Sequence, residues 1–258
     1  MKTKAILTFE DVVNELVLPE WLNGKEVSHD FFCEDKGDKN TLMETCRCFQ
    51  SFYDVICSAR LNLACACRKE YPELLDKNNP LLSQVWMRSQ FVNNSILWYN
   101  AAFDLALQPL WLYYKVYTKS KTNFELTTEN LDRILENCRF DSLKKNGTKE
   151  IGDKLILKLD IINSKMKENI RLWANILKHR KKIDYVELAK KDHPIAIGGK
   201  FAFGKDENGN KIIKLFEGEY NSSKTIKYIY MTEVVNTLFS FHKDIISISK
   251  DIEAHINL

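Results

Sequence analysis

The stretch Ile96–Tyr117, ILWYNAAFDLALQPLWLYYKVY, decides the fold of this chain. It is long and apolar enough to cross a bilayer. Asn100, Asp104 and Gln108 interrupt it at four-residue intervals, however, and an aspartate at mid-span is costly in lipid. Four-residue spacing puts the three polar side chains on one helical face, with apolar residues around the rest. That is the pattern of a core helix in a helical bundle, so no membrane association is expected.

Bulk composition agrees. With 45% hydrophobic residues and 11% aromatics the chain can bury a substantial core, which excludes wholesale disorder. Only 9 glycines and 5 prolines favour long helices over a turn-rich sandwich or barrel. A length of 258 residues suits one large domain or two small ones, and no linker marks a cut, so 1–258 is read as a single domain. The net charge of +3 is not that of a dedicated high-affinity nucleic-acid binder, so any such contact must come from a local patch. The start, MKTKAILTFEDVV, is not expected to be a secretory leader. With an odd count of 7 cysteines this predicts free thiols and a cytoplasmic location. Cys46-x-Cys48 and Cys65-x-Cys67 fall in predicted helix, where residues two apart point about 200° away from each other and cannot share an ion. No metal and no cofactor are expected.

Working outward, residues 1–40 are expected to wrap the domain. Thr41 to about Tyr71 reads as a first long helix, with Phe49, Phe52, Tyr53, Ile56, Leu63 and Ala64 at three- and four-residue steps, ended by Pro72. A second runs from Pro80 to about Tyr117, and Pro109 should kink or divide it. A short helix is predicted over Thr128–Cys138, and another from near Thr148 to Lys182. Within 193–230 the pattern changes: IAIGGKFAFGKDENGNKIIKLFEGEY alternates around Asn208-Gly209, which predicts a hairpin, and Thr225–Tyr230 adds a third strand or an extended lead-in. From Met231 to His255 helical spacing returns. The expectation is all-α, mainly a helical bundle, with a small β-hairpin insertion before the last helix.

The richest functional pattern is NIRLWANILKHRKK, residues 169–182. On a helix each step of four turns about 400°, so Arg171, Asn175 and His179 drift only about 80° in total and share a face. A strong cation, an amide and an imidazole in line could hold a phosphodiester and move its protons. Lys178, Arg180, Lys181 and Lys182 make the same end cationic, which suits a polyanion. The same stripe could simply pair with carboxylates of a neighbouring helix while Ile170, Trp173, Ile176 and Leu177 pack. Asn93, Asn100 and Asp104 supply such a counterpart on one face of the second long helix, and Asp104 could pair with Arg171 or Lys178. His29, His193, His242 and His255 are weaker candidates, since no Ser, Cys or acid stands at triad spacing. Phosphate-loop, dinucleotide and HExxH motifs are absent, and DENGN lacks the terminal calcium ligand.

Together SILWYNAAFDLALQPLW and RLWANILKHR resemble the HEPN superfamily (higher eukaryotes and prokaryotes nucleotide-binding domains) over roughly residues 41–182. The resemblance implies an all-α bundle, usually a homodimer, of bacterial or archaeal defence or toxin type. Many members are metal-independent endoribonucleases with an arginine followed by four to six residues and a histidine. Arg171 and His179 match in kind, but the interval holds seven residues, LWANILK, and Leu172 stands where a polar neighbour often follows the arginine. The wider interval favours a non-catalytic module that binds RNA, a nucleotide or a protein partner. The alternative is a ribonuclease in which His179 is general acid/base, Arg171 stabilises the phosphorane and Asn175 positions the phosphate. Lys178, Arg180, Asn100 and Asp104 would then line the substrate. Exposure of His179 discriminates between the two. A solvent-facing ring in a dimer groove suits chemistry, and a buried one bonded to Asp104 suits structure.

Overall fold

The computed structural model describes residues 6–18, 39–71, 80–119, 124–127, 129–180, 183–189, 200–205, 211–216 and 229–256. These residues form an all-α fold. α1 (Phe9–Glu15) opens at Thr8, whose Oγ1 accepts the Asp11 N–H at 3.1 Å while the Asp11 carboxylate accepts the Thr8 N–H at 2.7 Å. This reciprocal box satisfies two orphan donors of the first turn, and the two bonds hold the Asp11 carboxyl below its usual range.

α2 (Lys39–Ala66) ends five residues before the predicted Tyr71. Tyr71 itself explains the stop. Its hydroxyl donates to the Cys65 carbonyl at 2.7 Å, and its backbone exchanges two hydrogen bonds with the Gln84 side chain. The chain therefore turns back onto the next helix before Pro72, which also disfavours helical geometry at Tyr71.

α3 (Pro80–Tyr113) is the central element and packs on α2 most extensively. Val92, Ile96, Tyr99, Phe103, Leu107, Leu110 and Trp111 are all fully buried, the all-round apolar character of a helix enclosed by others. Pro109 does not divide it. The helix continues through the proline to Tyr113, and buried residues on both sides hold it despite one lost backbone bond. Lys115, at φ 49°, ends the run, and a short 3-10 turn follows over Val116–Lys119.

The predicted helix from Thr148 to Lys182 is instead parts of three. α4 (Leu131–Glu136) precedes them, shorter than the predicted Thr128–Cys138, and Trp111 Nε1 donates to the Ile134 carbonyl within it at 3.1 Å. α5 (Phe140–Ile151) stops at Gly152, whose φ of 84° is a conformation that side-chain-bearing residues rarely adopt. α6 (Asp153–Glu168) stops at Asn169, and α7 (Ile170–Arg180) follows at once. The short α8 (Val186–Ala189) comes next.

Two strands, β1 (Lys200–Lys205) and β2 (Lys211–Phe216), pair antiparallel, Lys200 opposite Phe216 and Lys205 opposite Lys211. The turn at Asn208-Gly209 lies outside the described residues, as do His193–Pro194 and most of Thr225–Tyr230. Ile229 makes an isolated parallel bridge with Tyr185 rather than extending the strand pair. α9 (Met231–His255) has the predicted bounds. It buries Val234, Leu238, Phe241, Ile245 and Ile252 against α2, α3 and α6, each contributing about 1.5–3 kcal/mol on burial. Among the described residues no helix is long and apolar enough to cross a membrane.

Candidate functional site

α7 exists because Ile170, Trp173 and Ala174 bury one face, with Ile176 and Leu177 half-buried beside them. Asn169 ends one helix and starts the next, since its carbonyl accepts the Trp173 N–H at 2.9 Å. Arg171, Asn175 and His179 therefore all lie on α7. Arg171 is half-buried, whereas Asn175, Lys178 and His179 are exposed. The gradient follows from geometry, because each four-residue step rotates about 40° past a full turn and carries the stripe from the core edge to solvent.

Arg171 Nη2 donates to Asp104 Oδ1 at 2.5 Å, which joins α7 to α3. The two side chains are 32% and 48% exposed, so the pair is partly solvated. Asp104 thus faces the motif helix and takes up one corner of the guanidinium fork, leaving other donors for a ligand. Asn100, one turn earlier, is buried, and its Oδ1 has no partner among the described residues. Asn93, placed on the same stripe by spacing, serves a different neighbour and accepts from the buried Tyr185 hydroxyl at 2.7 Å. Arg180 closes α7, and its side chain lies outside the described residues, as do Lys181 and Lys182.

His179 is solvent-facing, as the catalytic reading expects, and Asp104 is bonded to Arg171 instead of to its ring. An exposed imidazole beside an exposed lysine can meet a polyanion and exchange protons with it. Arg171, already matched by a carboxylate, has less positive charge to offer a developing oxyanion.

The polar centre that spacing ranked low is His242. It is 1% exposed, with Nδ1 2.8 Å from the Tyr99 hydroxyl and Nε2 2.9 Å from the Val17 carbonyl. A carbonyl can only accept, so Nε2 carries the proton and donates to Val17, and Nδ1 accepts from Tyr99. Burial, reinforced by the nearby Arg60 and Lys243 charges, pulls its pKa down to about 4. The ring is neutral and structural, pinning α9 to α3 and to the chain after α1. Its place on the apolar face of α9, between Phe241 and Ile245, was the available clue.

The six described cysteines are free. Cys48 and Cys138 are buried and the other four half-buried, while Cys33 lies outside the described residues. Burial pushes the Cys48 thiol up to about 12 and Cys138 well above its ordinary value, so both are inert. Among the described residues no group of three or more His, Cys, Asp and Glu side chains could hold a metal ion. No family model, no curated protein and no solved structure matches the chain.

Proposed function

We propose that the chain is a HEPN-like helical module, a single domain of bacterial or archaeal defence or toxin type, that binds RNA without cleaving it. The observation that carries this reading is the solvent end of α7. Asn175, Lys178 and His179 are exposed on it, while Arg171 is tied to Asp104 and braces the helix. The chain's near-neutral overall balance suits modest, salt-sensitive binding at such a patch. On the same reading residues 193–230 are a β-hairpin inserted before the last helix, supported by the pairing of β1 with β2. The protein works in the cytoplasm as a homodimer, and a nucleotide or a protein partner could occupy the same face.

A metal-independent endoribonuclease is the second reading, favoured by the exposure of His179. With one motif histidine per chain, concerted acid–base cleavage would require a second copy. Incubation of labelled single-stranded RNA with the protein in EDTA separates the two. Retarded but intact RNA supports the module. Cleavage lost in His179→Ala supports the nuclease, and no binding at low salt defeats both.

A further inference from the structure

A cavity of about 450 Å³ lies between the residues before α1, the end of α2, α3, α8 and the start of α9. That volume suits a small ligand. No residue of α7 is part of its lining, so it is separate from the surface proposed for RNA.

The inner wall of this cavity is apolar. Ala66, Val85, Met231 and Val235 are buried on it, with Leu7 and Cys67 half-buried beside them. Burial pushes the Cys67 thiol up to about 11, so it stays neutral and behaves as a small apolar group. The edge is cationic. Arg68 and Lys69 are exposed there and Arg88 is half-buried, against a single acid, Glu187. Glu187 is already engaged, since both of its carboxylate oxygens accept the Met231 N–H, at 3.0 and 3.1 Å. Arg88 Nη2 donates to the Arg68 carbonyl at 2.9 Å, which fixes that guanidinium at the wall. The Arg68 guanidinium lies over the Phe9 ring, 5.1 Å from its centroid. None of the three cations makes an ion pair among the described residues.

An apolar interior and a surplus of positive charge at its edge select the same class of molecule from two sides. We propose that the cavity binds an anionic amphiphile, a medium-chain carboxylate. Its alkyl tail would lie against Val85, Met231 and Val235, and its head group would meet Arg68, Lys69 and Arg88. A bare anion would leave the apolar wall in water, and a neutral alkane would leave the cations unpaired. An alkyl cation would meet three like charges at the entrance. A carboxylate matches the planar fork of an arginine, which makes it the fitting head group.

Calorimetric titration of the full chain with hexanoate, octanoate, 1-octanol and octylammonium tests the assignment. The expected result is a sub-millimolar dissociation constant for octanoate, roughly fifteenfold tighter than for hexanoate, because two more methylenes are buried. Octanoate should also bind about fivefold or more tighter than 1-octanol, and octylammonium should be the weakest of the eight-carbon probes. Arg68→Ala/Lys69→Ala, at two exposed positions, should weaken octanoate about fivefold or more and leave the unliganded melting temperature unchanged. The Arg68 carbonyl that holds Arg88 is backbone and is kept in that variant. Ile6→Glu, at an 80% exposed position on the lining, should lose the binding and keep the fold, because it sets a carboxylate against the ligand's own. Lys178→Ala/His179→Ala should leave octanoate affinity unchanged, which separates the cavity from the RNA surface. No octanoate binding, equal affinity for hexanoate, 1-octanol or octylammonium, parental affinity in either lining variant, or lost affinity in the α7 variant would overturn the proposal.

Discussion

His242 and His179 carry the same ring into opposite surroundings. His242 is enclosed by α3, α9 and the chain after α1, with both nitrogens bonded. His179 stands in solvent at the end of α7. Burial converts the first from an acid–base group into a neutral strut, and exposure leaves the second available to partners but idle in the fold. Residue type alone therefore says little about role, and the sharpest ways to break the contrast are substitutions at the two rings and at the links around them.

The largest effect belongs to His242→Ala. It empties volume in the core and strands the Tyr99 hydroxyl and the Val17 carbonyl, so the fold should lose about 3–4 kcal/mol. A urea midpoint measurement reads this directly. A loss below about 1 kcal/mol would show that the strut is not structural.

Protonation should repeat part of that loss. The folded pKa of His242 is depressed to about 4 from an ordinary 6.5. The unfolded chain thus binds the proton first as pH falls, and stability drops between about pH 6.5 and 4. Its contribution is fully present above pH 6.5 and largely gone by pH 4. The total is about 3 kcal/mol. A His242→Gln variant should flatten this part of the profile, and an unchanged slope would point to another group.

Asp104→Ala should cost less, about 1 kcal/mol, because both members of its pair with Arg171 are partly solvated. A loss of 3 kcal/mol or more would mean that the pair is far better shielded than its exposure indicates. Smallest of all is His179→Ala, expected within about 0.5 kcal/mol of the parent.

What spacing could reveal tracks how strongly one face is buried. α9, with apolar residues at every three or four positions, has the bounds its pattern predicts. The link of Asp104 to Arg171 was also legible, since an acid in an apolar helix must find a partner. The motif helix was misjudged because an uninterrupted helical period hides brief breaks. Gly152 followed by Asp153, and Asn169 after two lysines, are stop signals that the period outweighed. Pro109 leaves α3 undivided, because dense packing around it tolerates the missing bond. Asn163 and His242 were missed as polar residues on buried faces, at positions where Leu159 and Leu238 one turn earlier mark the core side. Arg139 and Asn163 line one cleft only through the tertiary arrangement, which spacing could not reveal.

The central claim is that the exposed end of α7 binds RNA while the fold depends on the other histidine. The most direct measurement is fluorescence anisotropy with labelled single-stranded RNA at fixed low salt, paired with urea midpoints. The variants are Lys178→Ala/His179→Ala and His242→Ala. The account predicts at least tenfold weaker RNA binding with an unchanged midpoint for the α7 variant, and a lowered midpoint for His242→Ala. Parental RNA affinity in the α7 variant, or a lowered midpoint in it, would contradict the account.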